Sequence, residues 1–257
     1  MGQSITLKNQ QEVNELEKEI ENVGYYAFRT NLRELQELEA DKEKQTELFR
    51  KLIVQRVEKW VSMAEERLKG ANVKCFVTPG NDDIFDIDDL LNKSKVIVNP
   101  EGKVVEITED HEMISSGYSN ITPWNCPRDV DEEKLKEKIE SMTAKVKNFN
   151  NCIFNFHCPP YDTPIDLAPK LDKNLRPIVS TGGQPILVSV GSHAIREAIL
   201  KYQPMLGLHG HIHESRGYVK LGKTLCLNPG SEYGEGILRG VIVNIEKEVK
   251  SFQFTSG

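Results

Sequence analysis

A chain of 257 residues that is 38% hydrophobic can bury one sizeable core, and its net charge of -6 argues against a broad nucleic-acid-binding face, which needs clustered excess Lys and Arg. Its five cysteines (Cys75, Cys126, Cys152, Cys158, Cys226) are scattered with no CxxC pair, so neither a disulfide framework nor a structural zinc site is indicated and a reducing cytoplasm is the simplest setting. No apolar run approaches the roughly 18 residues of a membrane span and no signal-peptide pattern opens the chain, although Met1-Gly2-Gln3-Ser4-Ile5-Thr6 fits the loose myristoylation pattern, a frequent chance match.

Residues 1 to 70 contain no Pro and read as helices. Val13, Leu16, Ile20 and Val23 recur at helical spacing with Gly24 as a stop, and Thr30 opens a second helix through Leu32, Leu35 and Leu38. From Lys42 to Lys69 a stripe through Phe49, Ile53, Val57, Trp60, Val61, Ala64 and Leu68 predicts a third helix closed by Gly70. These stripes read as core faces and carry no chemistry. At Val73 the period becomes extended: Val73 to Val77 reads as a buried strand entering the polar loop Thr78-Pro79-Gly80-Asn81-Asp82-Asp83. Ligands bind at that edge of open α/β sheets, but these residues are also good turn formers.

A short helix (87–92), strands 96–98, 103–107 and 113–118, a loop rich in Pro, Asn and Trp, and a charged helix (130–147) follow. His111 reads as an exposed strand-edge residue. Asn151 to His157 repeats the earlier device of an apolar strand ending in a polar residue, with Cys158-Pro159-Pro160 forcing a loop. The long Pro-rich loop 161–190 is of the kind that caps a site, and Tyr161, Asp162 and Arg176 are candidate phosphate contacts within it. Ser192 caps a helix to Tyr202, and a strand over 204–208 delivers Gly207-Leu208-His209-Gly210-His211-Ile212-His213-Glu214. Half of the six histidines sit here. In extended backbone His209, His211 and His213 point to one side and could converge on an ion. The remainder, 218–220, 224–227, 237–245 and 249–254, reads as an antiparallel set with tight turns.

The order Gly80-Asn81-Asp82, strand-terminal His157, Gly210-His211-Ile212-His213 and Asn228-Pro229-Gly230-Ser231 resembles the second half of a calcineurin-like metallophosphoesterase, over roughly residues 71 to 257. The resemblance implies an α/β fold, a layered α/β/β/α sandwich of mixed sheets lacking its first two strands, with 1–70 as a helical segment before the phosphoesterase core 71–257. It implies a metal-dependent phosphodiesterase or phosphatase that hydrolyses a small phosphorylated substrate with a metal-activated hydroxide. Asn81, His157 and His211 match the ligands of one ion and His213 a ligand of the other. Mn is the first candidate for the two divalent ions, then Fe, Zn or Ni. Asp82 and His209 fall on the catalytic side, His209 through a hydrogen bond to a ligand; Tyr161, Arg176 and Ser231 fall on the substrate side.

Two departures qualify this. The family's Asp-x-His and Gly-Asp motifs, which supply the bridging carboxylate, are nowhere in the sequence. A truncated or mis-started chain, a split enzyme completed by a second chain, and an inactive relative serving as a partner-binding subunit are the competing explanations, the first being preferred. An uncovered sheet edge is expected in consequence. The second departure is Asp82, which stands where many members carry a His that assists the leaving group. Near cations and phosphate an Asp is held ionised and donates a proton poorly.

Overall fold

The computed structural model describes residues 4–257; the first three residues of the myristoylation pattern lie outside them. Helix α1 spans Gln10–Asn22, α2 Leu32–Ala40 and α3 Lys42–Leu68. Each begins where a short side chain takes up free amides: Asn9 accepts from Glu12 N, Asn31 from Glu34 N, and Asp41 from Glu43 N and Lys44 N. Asn31, not Thr30, therefore caps α2. Gly70, with φ at +78°, ends the third helix as its position suggests.

The expectation that these stripes are core faces holds only in part. Neither α1 nor α2 buries a residue, and α3 buries Val57 alone. Phe49 and Trp60 are 56% and 55% exposed. One side of α3 does pack: Ile53, Val57, Val61 and Ala64 meet Ile87 and Leu91 of α4 (Asp86–Lys93).

Strand β1 (Cys75–Phe76) pairs in parallel with β2 (Ile97–Val98) and, among the described residues, with no other strand. The buried strand read from 73–77 is thus shorter and half-buried, with Val73 61% exposed, because only one edge has a neighbour. Its alternation still holds: Cys75 faces the α3–α4 cluster and Phe76 faces the main sheet.

That sheet contains β3 (Val104–Glu106) and β4 (Glu112–Ser116). After the short parallel pair β5 (Ser119–Asn120) and β6 (Asp129–Val130) and helix α5 (Glu132–Thr143), it gains β7 (Cys152–Phe156). Next come β8 (Leu167–Pro169), β9 (Leu187–Ser189), α6 (His193–Tyr202) and β10 (Leu206–Leu208). The chain ends with β11 (Gly217–Leu221), β12 (Thr224–Asn228), β13 (Arg239–Ile245) and β14 (Val249–Ser256). The main sheet runs β11-β12-β10-β7-β4-β3, parallel from β12 to β4 and antiparallel at both edges.

Strand periodicity divides its two faces. Phe154 and Phe156 of β7 pack under Leu135 and Ile139 of α5 and Ile195 and Ile199 of α6. Ile153 on the opposite face joins Met205, Leu206 and Leu227 beneath Val241, Val243 and Phe252 of the β13–β14 hairpin. That hairpin therefore covers the sheet rather than extending it. Two further expectations are corrected. His111 is buried, its Nδ1 2.7 Å from Thr108 Oγ1 and its Nε2 2.6 Å from the Glu246 carbonyl, so it pins two loops. The loop 161–190 contains an antiparallel hairpin, β8 with β9.

Candidate metal centre at the strand ends

Three loops meet beyond the C-terminal ends of β1, β7 and β10. His157 continues β7, its amide donating to the Ser116 carbonyl at 2.8 Å. Gly80 lies against its ring: a Cβ there would sit 2.9 Å from His157 Cε1 and 3.1 Å from Nε2, so a glycine lets the loop reach the imidazole. Asn81, 6% exposed, places Oδ1 3.1 Å from His157 Nε2 and 3.1 Å from His211 Nδ1.

The three histidines of the 209–213 stretch do not converge as extended alternation predicts, because the strand ends at Leu208 and the backbone turns. His211 has φ at +63°, a left-handed conformation, and Ile212 N donates to Gly210 O at 2.6 Å. Asn228 holds the turned loop: its Nδ2 donates to the carbonyls of Gly210 (3.2 Å), Ile212 (3.0 Å) and Ile165 (3.3 Å), and its Oδ1 accepts from Gly230 N at 2.9 Å. Only His211 is thereby turned onto Asn81. His209 points inward, Nδ1 lying 3.0 and 3.1 Å from the carbonyls of Phe156 and Cys158 on either side of His157. It braces the backbone on either side of His157, in place of the expected hydrogen bond to a ligand. His213 is exposed, edge-on to Tyr233 at 5.6 Å between ring centroids.

Burial keeps the inner imidazoles neutral. It brings His157 down to about 3, helped by His211 and His213, and His211 down to about 4, against the pull of Asp129. Neutral imidazole is the form that ligates. The remaining sequence candidates are placed as follows. Asp82 is exposed next to Asn81. Ser231 donates its amide to the His213 carbonyl at 3.1 Å and shares with His213 a pocket of about 470 Å³. Tyr161 stacks on His193 at 3.9 Å. Arg176 is exposed in the turn beyond the β8–β9 pairing, its amide held by Asp172. Neither of the last two hydrogen-bonds to Asn81, His157 or His211.

Two residues that the sequence did not single out touch the cluster. Ser119 Oγ lies 3.2 Å from His211 Nε2, and Asp129 Oδ1 accepts from Asn81 Nδ2 at 2.9 Å. Asp129 sits just before a helix, where an acidic residue is ordinary, so its type gave no signal.

Ligand atoms about 2.1 Å from one ion are about 3.0 to 3.4 Å apart at angles between right and tetrahedral, and the two 3.1 Å separations at Asn81 Oδ1 fit that spacing. The donors gathered there are two imidazole nitrogens and one carboxamide oxygen. Among the described residues no group of three or more His, Cys, Asp or Glu is placed to hold a metal ion.

No protein-family model matches the chain. An uncharacterized protein of Methanocaldococcus jannaschii is 35% identical over 159 residues, which are 61% of this chain and 64% of that protein, so the match spans less than two thirds of the relative. A solved crystal structure aligns over 96% of this chain and 93% of its own with a TM-score of 0.51 at 15% identity. That of a protein from Thermus thermophilus aligns over 79% of each chain with a TM-score of 0.50 at 14% identity. A structurally characterized archaeal phosphodiesterase reaches a TM-score of only 0.30, over 76% of this chain and 90% of its own at 17% identity. What the first two structures share with this chain is its mixed α/β fold.

Proposed function

We propose that the chain carries one ion's half of a metallophosphoesterase centre and takes part in the hydrolysis of a phosphate ester. The supporting observation is the convergence of two neutral imidazole nitrogens on Asn81 Oδ1, each at 3.1 Å, from three separate strand ends. The sequence motifs that resemble the calcineurin-like family carry these donors, and helices and a β-hairpin on opposite faces of the main sheet accord with that family's layered sandwich. A divalent ion bound there acidifies water and offsets charge on the phosphate. His213, Asp82 and Ser231, all outside the buried cluster, are assigned to the second ion and the substrate side. Tyr161, beside His193 of α6, and Arg176, in the β8–β9 hairpin, are assigned to outer substrate contacts. The bridging carboxylate and remaining ligands are assigned to a second chain. A cytoplasmic setting and a first preference for Mn belong to the same reading.

The rival reading, a partner-binding subunit without turnover, is favoured by the unpaired edge of β1 and the exposed apolar residues of α2 and α3. Metal stoichiometry by inductively coupled plasma mass spectrometry, paired with hydrolysis of an aryl phosphodiester under added Mn, separates the two. One ion per chain, lost in His157→Ala, with turnover appearing only when a segment bearing Asp-x-His and Gly-Asp is supplied, supports the proposal. No bound ion under any of these conditions refutes it.

A further inference from the structure

A neutral imidazole does not tell a carboxamide which way to turn, because a ring nitrogen can donate to Oδ1 or accept from Nδ2. The group on the far side of Asn81 decides. Asp129 Oδ1 lies 2.9 Å from Asn81 Nδ2, and an ionised carboxylate only accepts, so the NH2 must face Asp129 and the oxygen must face His157 and His211. The second oxygen of Asp129 is fully engaged, accepting from Thr122 N (2.9 Å), Thr122 Oγ1 (2.5 Å) and Cys126 N (3.0 Å). Burial opposes its charge, but these hydrogen bonds and that from Asn81 prevail and hold the carboxyl below its ordinary range. The adjacent Arg128 secures the backbone of the same residue. Its amide donates to the Asn81 carbonyl at 2.9 Å, and its buried guanidinium bonds the Asp83 carbonyl at 3.1 Å and Asp88 Oδ2 at 2.6 Å.

We propose that Asp129 is the positioning residue of the metal centre, fixing the orientation of the Asn81 amide so that an oxygen, not an NH2, is offered beside the two imidazoles. This rests on the reading of Asn81, His157 and His211 as ligands.

Asp129→Asn tests it without changing shape. The new side chain has one oxygen, and two backbone amides and a hydroxyl demand it on the Thr122 side. Its NH2 then faces Asn81, which turns over and presents its own NH2 to the imidazoles. Expected are Mn binding weakened about 10- to 100-fold by calorimetry, a metal-free melting temperature close to that of the parent chain, and metal-free NMR contacts of the Asn81 amide protons moved onto the His157 and His211 rings. Asn81→Asp combined with Asp129→Asn restores Mn binding, because a carboxylate at 81 offers an oxygen on both sides. Parental Mn affinity with the amide unturned in Asp129→Asn overturns the proposal, as does a collapse of melting temperature that the second substitution fails to rescue. If the parent chain binds no Mn, the ligand reading falls by itself, and the orientation inference is decided by the metal-free amide contacts alone.

Discussion

The N-terminal helices and the strand ends around His157 are built from comparably patterned sequence, yet they differ in what surrounds them. Helix α3 carries an apolar stripe of seven residues and buries only Val57, whereas β7, five residues long, buries four. The difference lies in neighbours: β7 has a strand on each side and helices and a hairpin above and below, while α3 has α4 on one side and solvent on much of the rest. Periodicity reports which face wants cover, and only packing supplies it.

The sharpest way to break this comparison is to truncate one residue from each region. Phe154→Ala, at a fully buried position, is expected to lower stability by about 3–5 kcal/mol in urea unfolding. Leu32→Ser, 80% exposed on α2, is expected to stay within about 0.5 kcal/mol. Equal losses would show that α2 is covered in solution.

Acid sharpens it next. In the chelated protein His157 and His211 titrate at about 3 and about 4 rather than 6.5. Below pH 6.5 the unfolded chain takes up protons that the folded one refuses, so stability is full above that pH and falls as pH drops toward the folded values. Each imidazole contributes a slope of about 1.4 kcal/mol per pH unit in that window. His157→Asn should flatten the curve between about pH 6 and 4; an unchanged slope would mean the pair is not buried as described.

Smaller effects follow. Asn228→Ala leaves the carbonyls of Gly210 and Ile212 without their side-chain donor and is expected to cost about 1–3 kcal/mol, with Mn affinity falling as the His211 loop loosens. His213→Ala, at an exposed position, is expected to change stability by less than about 0.5 kcal/mol. A larger loss would place that ring inside the fold.

Much of this was legible in the residues. The ends of α1 and α3, the Ser192 cap of α6 and the apolar strand before His157 were each announced by a local signal that acts within a few residues: a capping side chain, a glycine stop or a change of period. The grouping of Asn81, His157 and His211 was readable from their motifs. The fates of His209 and His213 were not, since alternation assumes extended backbone and the chain leaves it at Leu208. His111 was misjudged for a similar reason: its partner, the Glu246 carbonyl, lies 135 residues away.

What the sequence determined by itself was therefore which polar residues follow the strands, because hydrogen-bond capacity and side-chain period are properties of neighbouring residues. Only the tertiary structure decided which imidazole turns inward, which meets Asn81 and which stays in solvent. It also decided that Asp129, 48 residues beyond Asn81, sets the direction of that amide. These choices depend on carbonyls and carboxylates brought from distant strands into one place, and no local pattern encodes where those groups will lie.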